Sequence, residues 1–162
     1  MQKYNSWLNK NYFDPETIKE LENISDNPTE IRERFSKDLE FGTGGLRGII
    51  GAGTNRINKY TIRKATQGLA DFINKNISID NDKKVAVAYD SRLFSKDFAE
   101  EAALVLNAND IKTYLFSELT PTPVLSFAVR FLKCCAGIVI TASHNPKEYN
   151  GFKICGLGKD TI

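Results

Sequence analysis

Short apolar runs alternate with longer amphipathic stretches from residue 46 to residue 140, and this alternation constrains the fold more than any other feature. The apolar runs cover residues 46–50, 85–89, 111–116 and 136–140. The stretches between them carry apolar residues three and four apart, which predicts helices over residues 59–76, 96–108 and 123–132. Strands that alternate with helices are typical of a parallel sheet covered on both faces. We therefore predict an α/β fold, with three α/β/α layers around a mixed, mostly parallel sheet of about four strands.

The helix starts and the last strand are predicted from local signals. Ser95 is predicted to cap the second of these helices, and Thr122 to cap the third with Pro123 in its first turn. The helical spacing places Phe72 and Val124 on buried stripes. Residues 152–155 follow a tight turn, so we predict a short antiparallel strand at an edge of the sheet.

Residues 1–38 form a separate amphipathic region, here called the N-terminal arm. Asp14 and Asn27 each precede a proline, the pattern of an N-cap followed by the first helical residue. Asn5 or Ser6 is predicted to cap a short turn before them. We expect the arm to pack on the outside of the domain with Trp7 as its anchor.

The composition excludes several classes of protein. The 162 residues suffice for one α/β domain, and a net charge of +2 gives no support for binding nucleic acid or an anionic membrane. The N-terminus has no apolar signal core, and no apolar run approaches the length of a membrane span. The three cysteines, with His144, lack the spacing of a zinc site. We expect reduced thiols and a cytoplasmic protein.

A glycine-rich segment, residues 40–53, holds six of the eleven glycines. It lacks the glycine spacing of a dinucleotide fingerprint and the Gly-Lys-Ser/Thr ending of a P-loop. Two interpretations stay open from spacing alone, a hairpin or loop and an anion-binding loop. Arg47 lies inside this segment, near the start of a predicted strand.

The strand predicted at 136–140 leads into residues 141–146, which read TASHNP and are called the serine loop below. Ser143 lacks a Gly-x-Ser-x-Gly elbow, and the single histidine, His144, is its neighbour, which disfavours a hydrolase triad. Phosphoryl transfer suits the loop better, because a phosphoserine needs neutralised oxygens and alignment rather than a strong base. The candidate cations are Arg47, Arg92 and Lys153, with His144 as a further candidate.

Four motifs resemble one known family in the same order along the chain. They are FGTGGLRG at residues 41–48, DSR at 90–92, TPTP at 120–123, and TASHNP at 141–146 with NGFK at 150–153. TASHNP with NGFK resembles the active-serine signature of the phosphohexomutases, which include phosphoglucomutases and phosphomannomutases. The resemblance covers about residues 39–158, essentially the first domain of those enzymes.

The resemblance implies an isomerase of carbohydrate metabolism that moves a phosphoryl group within a sugar phosphate. Ser143 would carry the phosphate, donate it to a sugar monophosphate, and recover the other phosphate from the bisphosphate intermediate. Arg47 and Lys153 match residues that steer charge and protons, and His144 matches the residue beside the serine. Mg²⁺ would contact an oxygen of the phosphate on Ser143, and a sugar bisphosphate would act as activator.

The chain also departs from the family, whose members have four domains. The acidic metal loop, the sugar-selecting loop and the last phosphate-binding domain have no counterpart here, and Asp80 and Asp82 match the metal loop only superficially. We predict an N-terminal extension at 1–38 and a first domain at 39–162, inactive when isolated and prone to self-association through an exposed inter-domain face. The alternative is a non-catalytic phosphosugar-binding or interaction module. The substrate stays open, although the long arm favours the phosphoglucomutase or phosphopentomutase branch.

Overall fold

The computed structural model describes residues 1–77 and 83–156, and the fold over these residues is α/β. The helices are α1 (Gln2–Trp7), α2 (Pro15–Glu22), α3 (Pro28–Phe35), α4 (Lys59–Asn76), α5 (Ser95–Ala108) and α6 (Thr122–Phe131). The strands are β1 (Leu46–Ile49), β2 (Lys84–Tyr89), β3 (Lys112–Leu115), β4 (Ala136–Ile140) and β5 (Tyr149–Cys155). The predicted strand–helix alternation is therefore confirmed.

The strands form one mixed sheet in the order β1-β5-β4-β2-β3. β2 pairs in parallel with β3 and with β4, whereas β5 pairs antiparallel with β4 and with β1. Four strands therefore run in one direction, and β5 alone is reversed. The sheet has one strand more than the predicted four or so, because β5 belongs to it as a full member.

The position of β5 corrects a prediction. The stretch at 152–155 was predicted at an edge, but β5 lies inside the sheet between β4 and β1, and β1 is the edge strand. Its centre is accordingly buried, with Phe152 fully inaccessible to solvent. The tight turn predicted a reversal of direction, but nothing in the local sequence indicated that β1 would pair on the outer side.

Helices cover the two faces of the sheet unequally. α4 and α5 pack on one face, where Val85, Val87 and Ile138 point, and α6 packs on the other face against Ala86, Ala88 and Val139. Alternate residues of a strand point to opposite faces, so the two alanines of β2 face α6 and its two valines face the larger core. α6 contacts β2 and β4, and Cys155 at the end of β5 packs against the same cluster.

The helix starts confirm some predictions and correct others. The Asp14 carboxylate accepts a hydrogen bond from the Thr17 amide, and the Asn27 side chain accepts one from the Glu30 amide, as the proline patterns predicted. α1 begins at Gln2, however, so Asn5 and Ser6 lie within the helix rather than at its start. A short helix whose stabilisation comes from packing needs no side-chain cap, and that packing is absent from the local signal.

Two further predicted caps are wrong. α6 begins at Thr122 itself, after Pro121 in extended geometry, so Thr122 is the first helical residue and not its cap. α5 begins at Ser95, whose hydroxyl donates instead to Asp90. The two stripe residues Phe72 and Val124 are also about half exposed, since no element of the described chain packs over that edge of either helix.

The N-terminal arm has its own small core. Tyr4, Trp7, Leu21, Ile31 and Phe35 are buried together with Ala52 from the glycine-rich segment. The Trp7 ring stacks on Phe13 at 4.5 Å and meets Phe35 and Tyr60 edge-on. The expectation that Trp7 anchors the arm is confirmed, and its partners include the start of α4.

Two earlier expectations concern residues outside the described ranges. The acidic pair Asp80 and Asp82 lies there, and so does the end of the predicted first domain beyond residue 156. Among the helices of the described ranges, none is both long and apolar enough to cross a bilayer.

Candidate functional site

The serine loop lies at a topological switch point of the sheet, where the connections after neighbouring strands go to opposite sides. From β2 the chain passes through α5 to β3 on one side, and then through α6 on the opposite face to β4 on the other side. The loops after β2 and β4 therefore leave the same edge of the sheet and diverge. Open α/β sheets bind ligands at such a point, so topology alone singles out the segments that hold Asp90–Arg92 and Ser143.

Ser143 has a left-handed backbone and an exposed side chain. Its φ is 59°. Its amide donates to the Thr141 hydroxyl at 2.9 Å, and the Asn145 amide donates to the Ala142 carbonyl. The left-handed region is uncommon for residues other than glycine, and the turn bonds around Ser143 hold it there. The bend also brings the His144 Nδ1 atom to 3.4 Å from the Ser143 Oγ atom, although neighbours in extended backbone would point apart.

Arg92 binds the serine loop from the side of β2. Its guanidinium donates to the carbonyl oxygens of Ser143 at 2.8 Å, Asn145 at 2.6 Å, Pro146 at 2.8 Å and Tyr149 at 2.9 Å. The sequence suggested Arg92 as a cation for phosphate, and this is wrong for the geometry observed. Its terminal donors are all bonded to backbone carbonyls, so Arg92 acts on the loop rather than directly on an anion.

A small polar network fixes the residues around Arg92. The Asp90 carboxylate accepts from the Arg92 amide at 3.0 Å and from the Ser95 hydroxyl at 2.8 Å. The buried Asn150 side chain then donates to the Ser95 hydroxyl at 2.9 Å and to the Leu93 carbonyl at 3.0 Å. This network joins the end of β2, the start of α5 and the start of β5.

The glycine-rich segment contains a tight hairpin turn. Gly42 and Gly45 exchange backbone hydrogen bonds of 3.2 Å and 3.0 Å, and β1 follows at once. Gly45 has a φ of 91°, and a Cβ atom there would lie 2.6 Å from the Phe152 carbonyl and 2.9 Å from the Lys153 Cγ. Only glycine allows the turn to lie so close to β5. The hairpin interpretation is confirmed, and the turn's contact with Lys153 leaves its anion-binding role as a proposal.

Arg47 reaches the serine loop across the sheet. β1 pairs Arg47 with Gly151 of β5, and a Cβ atom on Gly151 would lie 3.1 Å from the Arg47 Cγ and 2.8 Å from the Thr141 carbonyl. The Arg47 guanidinium donates to the Asn145 side-chain oxygen at 3.2 Å. Its Nε atom is buried and has no acceptor among the described residues. Buried donors are rarely left without a partner, so this atom points to an acceptor that the described residues do not supply.

Lys153 adds a second positive charge on the same face of β5. It lies two residues after Gly151, and in an antiparallel sheet such a diagonal neighbour of Arg47 is about 7–8 Å away. Burial, with Arg47 adding repulsion, lowers the pKa of Lys153 below its ordinary value. Within the described ranges, neither Lys153 nor Arg47 has a carboxylate within 4.0 Å.

The structure thus brings the predicted residues to one side of the sheet. Ser143 and His144 lie on the loop after β4, and Arg47 and Lys153 lie on the adjacent β1 and β5. Sequence analysis missed the part played by Asn145, whose side chain links Arg47 to the serine loop. It also missed the polar network of Asp90, Ser95 and Asn150, for which the only signal was an acidic residue directly after a buried strand.

The described residues do not by themselves make a magnesium site. No group of three His, Cys, Asp or Glu side chains is placed to hold a metal ion in the described part of the chain. Mg²⁺ prefers oxygen ligands in an octahedral arrangement, whereas Arg47, Lys153 and His144 carry nitrogen atoms. A phosphate on Ser143 would supply one ligand, but the protein oxygens needed to complete the shell are not among the residues described.

Comparison with known proteins matches the chain to a single kind of domain. The family model described as phosphoglucomutase/phosphomannomutase, alpha/beta/alpha domain I, matches residues 38–159. A phosphopentomutase of Homo sapiens is 41% identical over an alignment of 162 positions that covers 94% of this chain and 26% of that protein. A phosphoglucomutase of Staphylococcus aureus is 48% identical over 127 residues, or 78% of this chain and 22% of that protein.

A solved structure agrees with the sequence relatives. The crystal structure of a putative phosphomannomutase from Thermus thermophilus superposes with a TM-score of 0.67 at 31% identity, covering 78% of this chain and 27% of that one. The chain spans about a quarter of the length of these relatives.

Proposed function

The chain belongs to the phosphoglucomutase/phosphomannomutase family, and on that premise we propose that Ser143 is the phosphoryl carrier of a phosphosugar mutase. The observation that carries the proposal is the pair of cations beside the serine loop: among the described residues, the buried Arg47 Nε has no acceptor and neither Arg47 nor Lys153 has a carboxylate within 4.0 Å. Phosphoryl transfer is catalysed mainly by positioning and by neutralising the phosphate oxygens. An exposed hydroxyl beside two uncompensated cations suits that chemistry.

The proposed cycle consists of two phosphoryl transfers, each of a different phosphoryl group. The bond between phosphorus and the Ser143 oxygen breaks as a hydroxyl oxygen of a sugar monophosphate bonds to phosphorus, and the proton of that hydroxyl passes to the Ser143 oxygen. The resulting bisphosphate reorients, the phosphorus of its other phosphate bonds to the Ser143 oxygen as its bond to the sugar oxygen breaks, and the Ser143 proton passes to that sugar oxygen. Arg47 and Lys153 would hold the phosphate oxygens, and His144 would exchange a hydrogen bond with the serine oxygen in a direction set by its tautomer. A sugar bisphosphate would restore the phosphoserine when it is lost.

We propose Mg²⁺ only for a longer mutase that would contain this chain, called the parent enzyme below. One of its ligands would be an oxygen of the phosphate on Ser143, and the protein ligands would come from beyond the described residues. We accordingly propose that the 162-residue chain has negligible mutase activity by itself. Robust turnover of glucose 1-phosphate by this chain would contradict that statement.

The central test is phosphorylation of Ser143 in the parent enzyme. Wild type and Ser143→Ala are incubated with a sugar bisphosphate, and intact mass reports the addition of one phosphate. We expect the added mass in wild type and none in the variant. Equal labelling of wild type and Ser143→Ala would refute the assignment and favour a non-catalytic phosphosugar-binding module.

The substrate is proposed only as a class, the phosphates of hexoses or pentoses. The relatives named above act, by their names, on a pentose phosphate or a glucose phosphate. A panel of glucose, mannose, glucosamine and ribose 1-phosphates given to the parent enzyme would identify the preferred sugar from kcat/KM. A cytoplasmic location, with phosphosugar as the partner and no nucleic acid or membrane, completes the proposal.

Self-association of the isolated chain remains a prediction. Val124, Phe127 and Phe131 are exposed along α6, and the two phenyl rings stack on each other at 5.6 Å. Exposed apolar patches of this kind favour association. Light scattering at high concentration should show species above the monomer mass, and a monomer throughout would contradict the expectation.

A further inference from the structure

Arg92 holds the serine loop through an unusual set of bonds. Arginine has five N–H donors, and here the four terminal ones bind the carbonyl oxygens of Ser143, Asn145, Pro146 and Tyr149. Its Nε atom lies 3.5 Å from an Asp90 carboxylate oxygen, and the side chain is only 15% exposed. No terminal donor of Arg92 is left for a ligand. Its effect on bound phosphate must therefore pass through the loop.

The direction of these carbonyls fixes the direction of the amides next to them. In a trans peptide unit the C=O and the following N–H point to opposite sides, and no cis peptide bond occurs in the described ranges. Because the Ser143 carbonyl points at Arg92, the His144 N–H points away from it. The same holds for the Pro146 carbonyl and the Lys147 N–H. The Asn145 carbonyl is opposed by the nitrogen of Pro146, which carries no hydrogen.

The amides on that outer side lack acceptors. The amides of Ser143 and Asn145 bond within the turn, but those of His144 and Lys147 have no acceptor among the described residues. The His144 amide directly follows the residue that would carry phosphate. Backbone amides that turn outward together form anion-binding concavities in proteins.

We propose that Arg92 is a positioning residue, which gathers the carbonyls of the serine loop on its inner side and thereby leaves the His144 amide free to bind phosphate on Ser143. The inference rests on the proposed function only in that Ser143 carries a phosphate. It adds a backbone donor to the cations Arg47 and Lys153. It also assigns Arg92 a role that depends on the planar fork of arginine, since a lysine ammonium is a compact charge and cannot reach four separate carbonyls.

The test places phosphoserine at position 143 during synthesis of the 162-residue chain, so that no donor sugar is needed. The amide proton shift of His144 and the ³¹P shift are then followed by NMR from pH 4 to pH 8, through the second ionisation of phosphoserine near about pH 6. In wild type we expect the His144 amide to move downfield with the same midpoint as the ³¹P signal. In Arg92→Gln and in Arg92→Lys this coupled shift should be lost.

Two comparisons make the result decisive. Arg63→Gln removes an exposed ion pair with Glu101 on α4 and α5, and it should retain the coupled shift of wild type. If Arg92→Gln fails to fold, Arg92→Lys decides, because it keeps the charge. A wild-type His144 amide that ignores the ionisation, or a full coupled shift in Arg92→Lys, would overturn the proposal. Neither result would bear on whether a sugar bisphosphate phosphorylates Ser143, which the mass experiment measures separately.

Discussion

Carboxylates of the N-terminal arm bind Arg34 of the arm and Arg56 from beyond it, whereas beside the serine loop Arg47 and Lys153 have none within 4.0 Å in the described ranges. Arg34 bonds Glu20 and Glu30, and the buried Arg56 bonds Glu33. Both regions bring distant parts of the chain together with basic side chains. Of these four basic side chains, only Arg34 and Arg56 are paired with carboxylates in the described ranges.

The two regions therefore differ in what their charges do for the free energy of folding. Arg56 lowers the pKa of Glu33, so the folded arm favours the ionised pair. At the serine loop the pKa of Lys153 is lowered instead, because burial and Arg47 both disfavour its charged form. Charge that costs stability and lacks a partner is typical of a binding site rather than of a scaffold.

Arg47→Ala should reduce the rate of phosphoryl transfer to Ser143 by about 10²–10³-fold in the parent enzyme, because one donor to the transferring phosphate is lost. The rate is measured by intact mass at short times after mixing with a sugar bisphosphate. Arg63→Gln, far from the serine loop, is the matched control and should keep the wild-type rate. An unchanged rate in Arg47→Ala would contradict the proposal that Arg47, unlike the paired Arg34 and Arg56, acts on phosphate.

Arg56→Ala should lower the free energy of unfolding by about 2 kcal/mol, because Glu33 and Glu30 lose a buried partner. Urea denaturation of the 162-residue chain measures the change. Arg32 lies exposed on the same helix as Glu33, and Arg32→Ala should stay within about 0.5 kcal/mol of wild type. If both variants unfold like wild type, the arm's ion pairs contribute nothing measurable.

Lys153→Met should leave the free energy of unfolding no lower than in wild type, because the substitution removes a charge whose ionised form the fold disfavours. Lys59→Met is the comparison from the arm side, since the Lys59 ammonium lies 3.0 Å from an Asp14 oxygen. That variant should lose about 0.5–1 kcal/mol. The reverse order of the two variants in urea denaturation would contradict the electrostatic argument.

Acid should lower the free energy of unfolding slightly, because it protonates Asp38. Hydrogen bonds from Lys3 and Lys64 lower the pKa of Asp38 to about 2 from an ordinary 3.8. The unfolded chain therefore takes up the proton first, so this stabilisation is complete above about pH 5 and is lost as the pH falls from 3.8 to about 2. All three side chains are at least 40% exposed, so solvent screening limits the effect to about 0.5 kcal/mol.

Asp38→Asn provides the control for the acid prediction. Its urea midpoint should fall less than that of wild type between pH 5 and pH 3, because it has no carboxylate to protonate at this position. An identical fall in both proteins would assign the acid sensitivity to other carboxylates.

Sequence patterns predicted the parts of this molecule that depend on neighbours along the chain. The caps at Asp14 and Asn27 follow from one proline each, and the serine loop follows from an apolar run with a turn after it. The insertion of β5 between β4 and β1 does not follow in this way, because it depends on pairing between Leu46 and Phe152, far apart in sequence. Local propensity carries no information about that pairing.

The same limit applied to the candidate site. Ser143, His144, Arg47 and Lys153 were named from motifs, yet their motifs do not indicate which cations are left uncompensated. Arg92 illustrates the difficulty, since its sequence position suits a phosphate ligand and its four carbonyl partners become visible only when the chain is folded. A long side chain has too many reachable partners for position alone to decide.

The reversed strand β5 has a consequence for the order of folding. Arg47 and Asn145 are 98 positions apart, and they meet only after β5 has paired with both β4 and β1. During synthesis on the ribosome, the arm, α4 and the first parallel strands emerge well before the strand that joins the two sides of the site. Pairings that close long loops form late because their entropic cost precedes their reward. We therefore expect Ser143 to meet Arg47 and Lys153 late in folding, after the arm's ion pairs have formed.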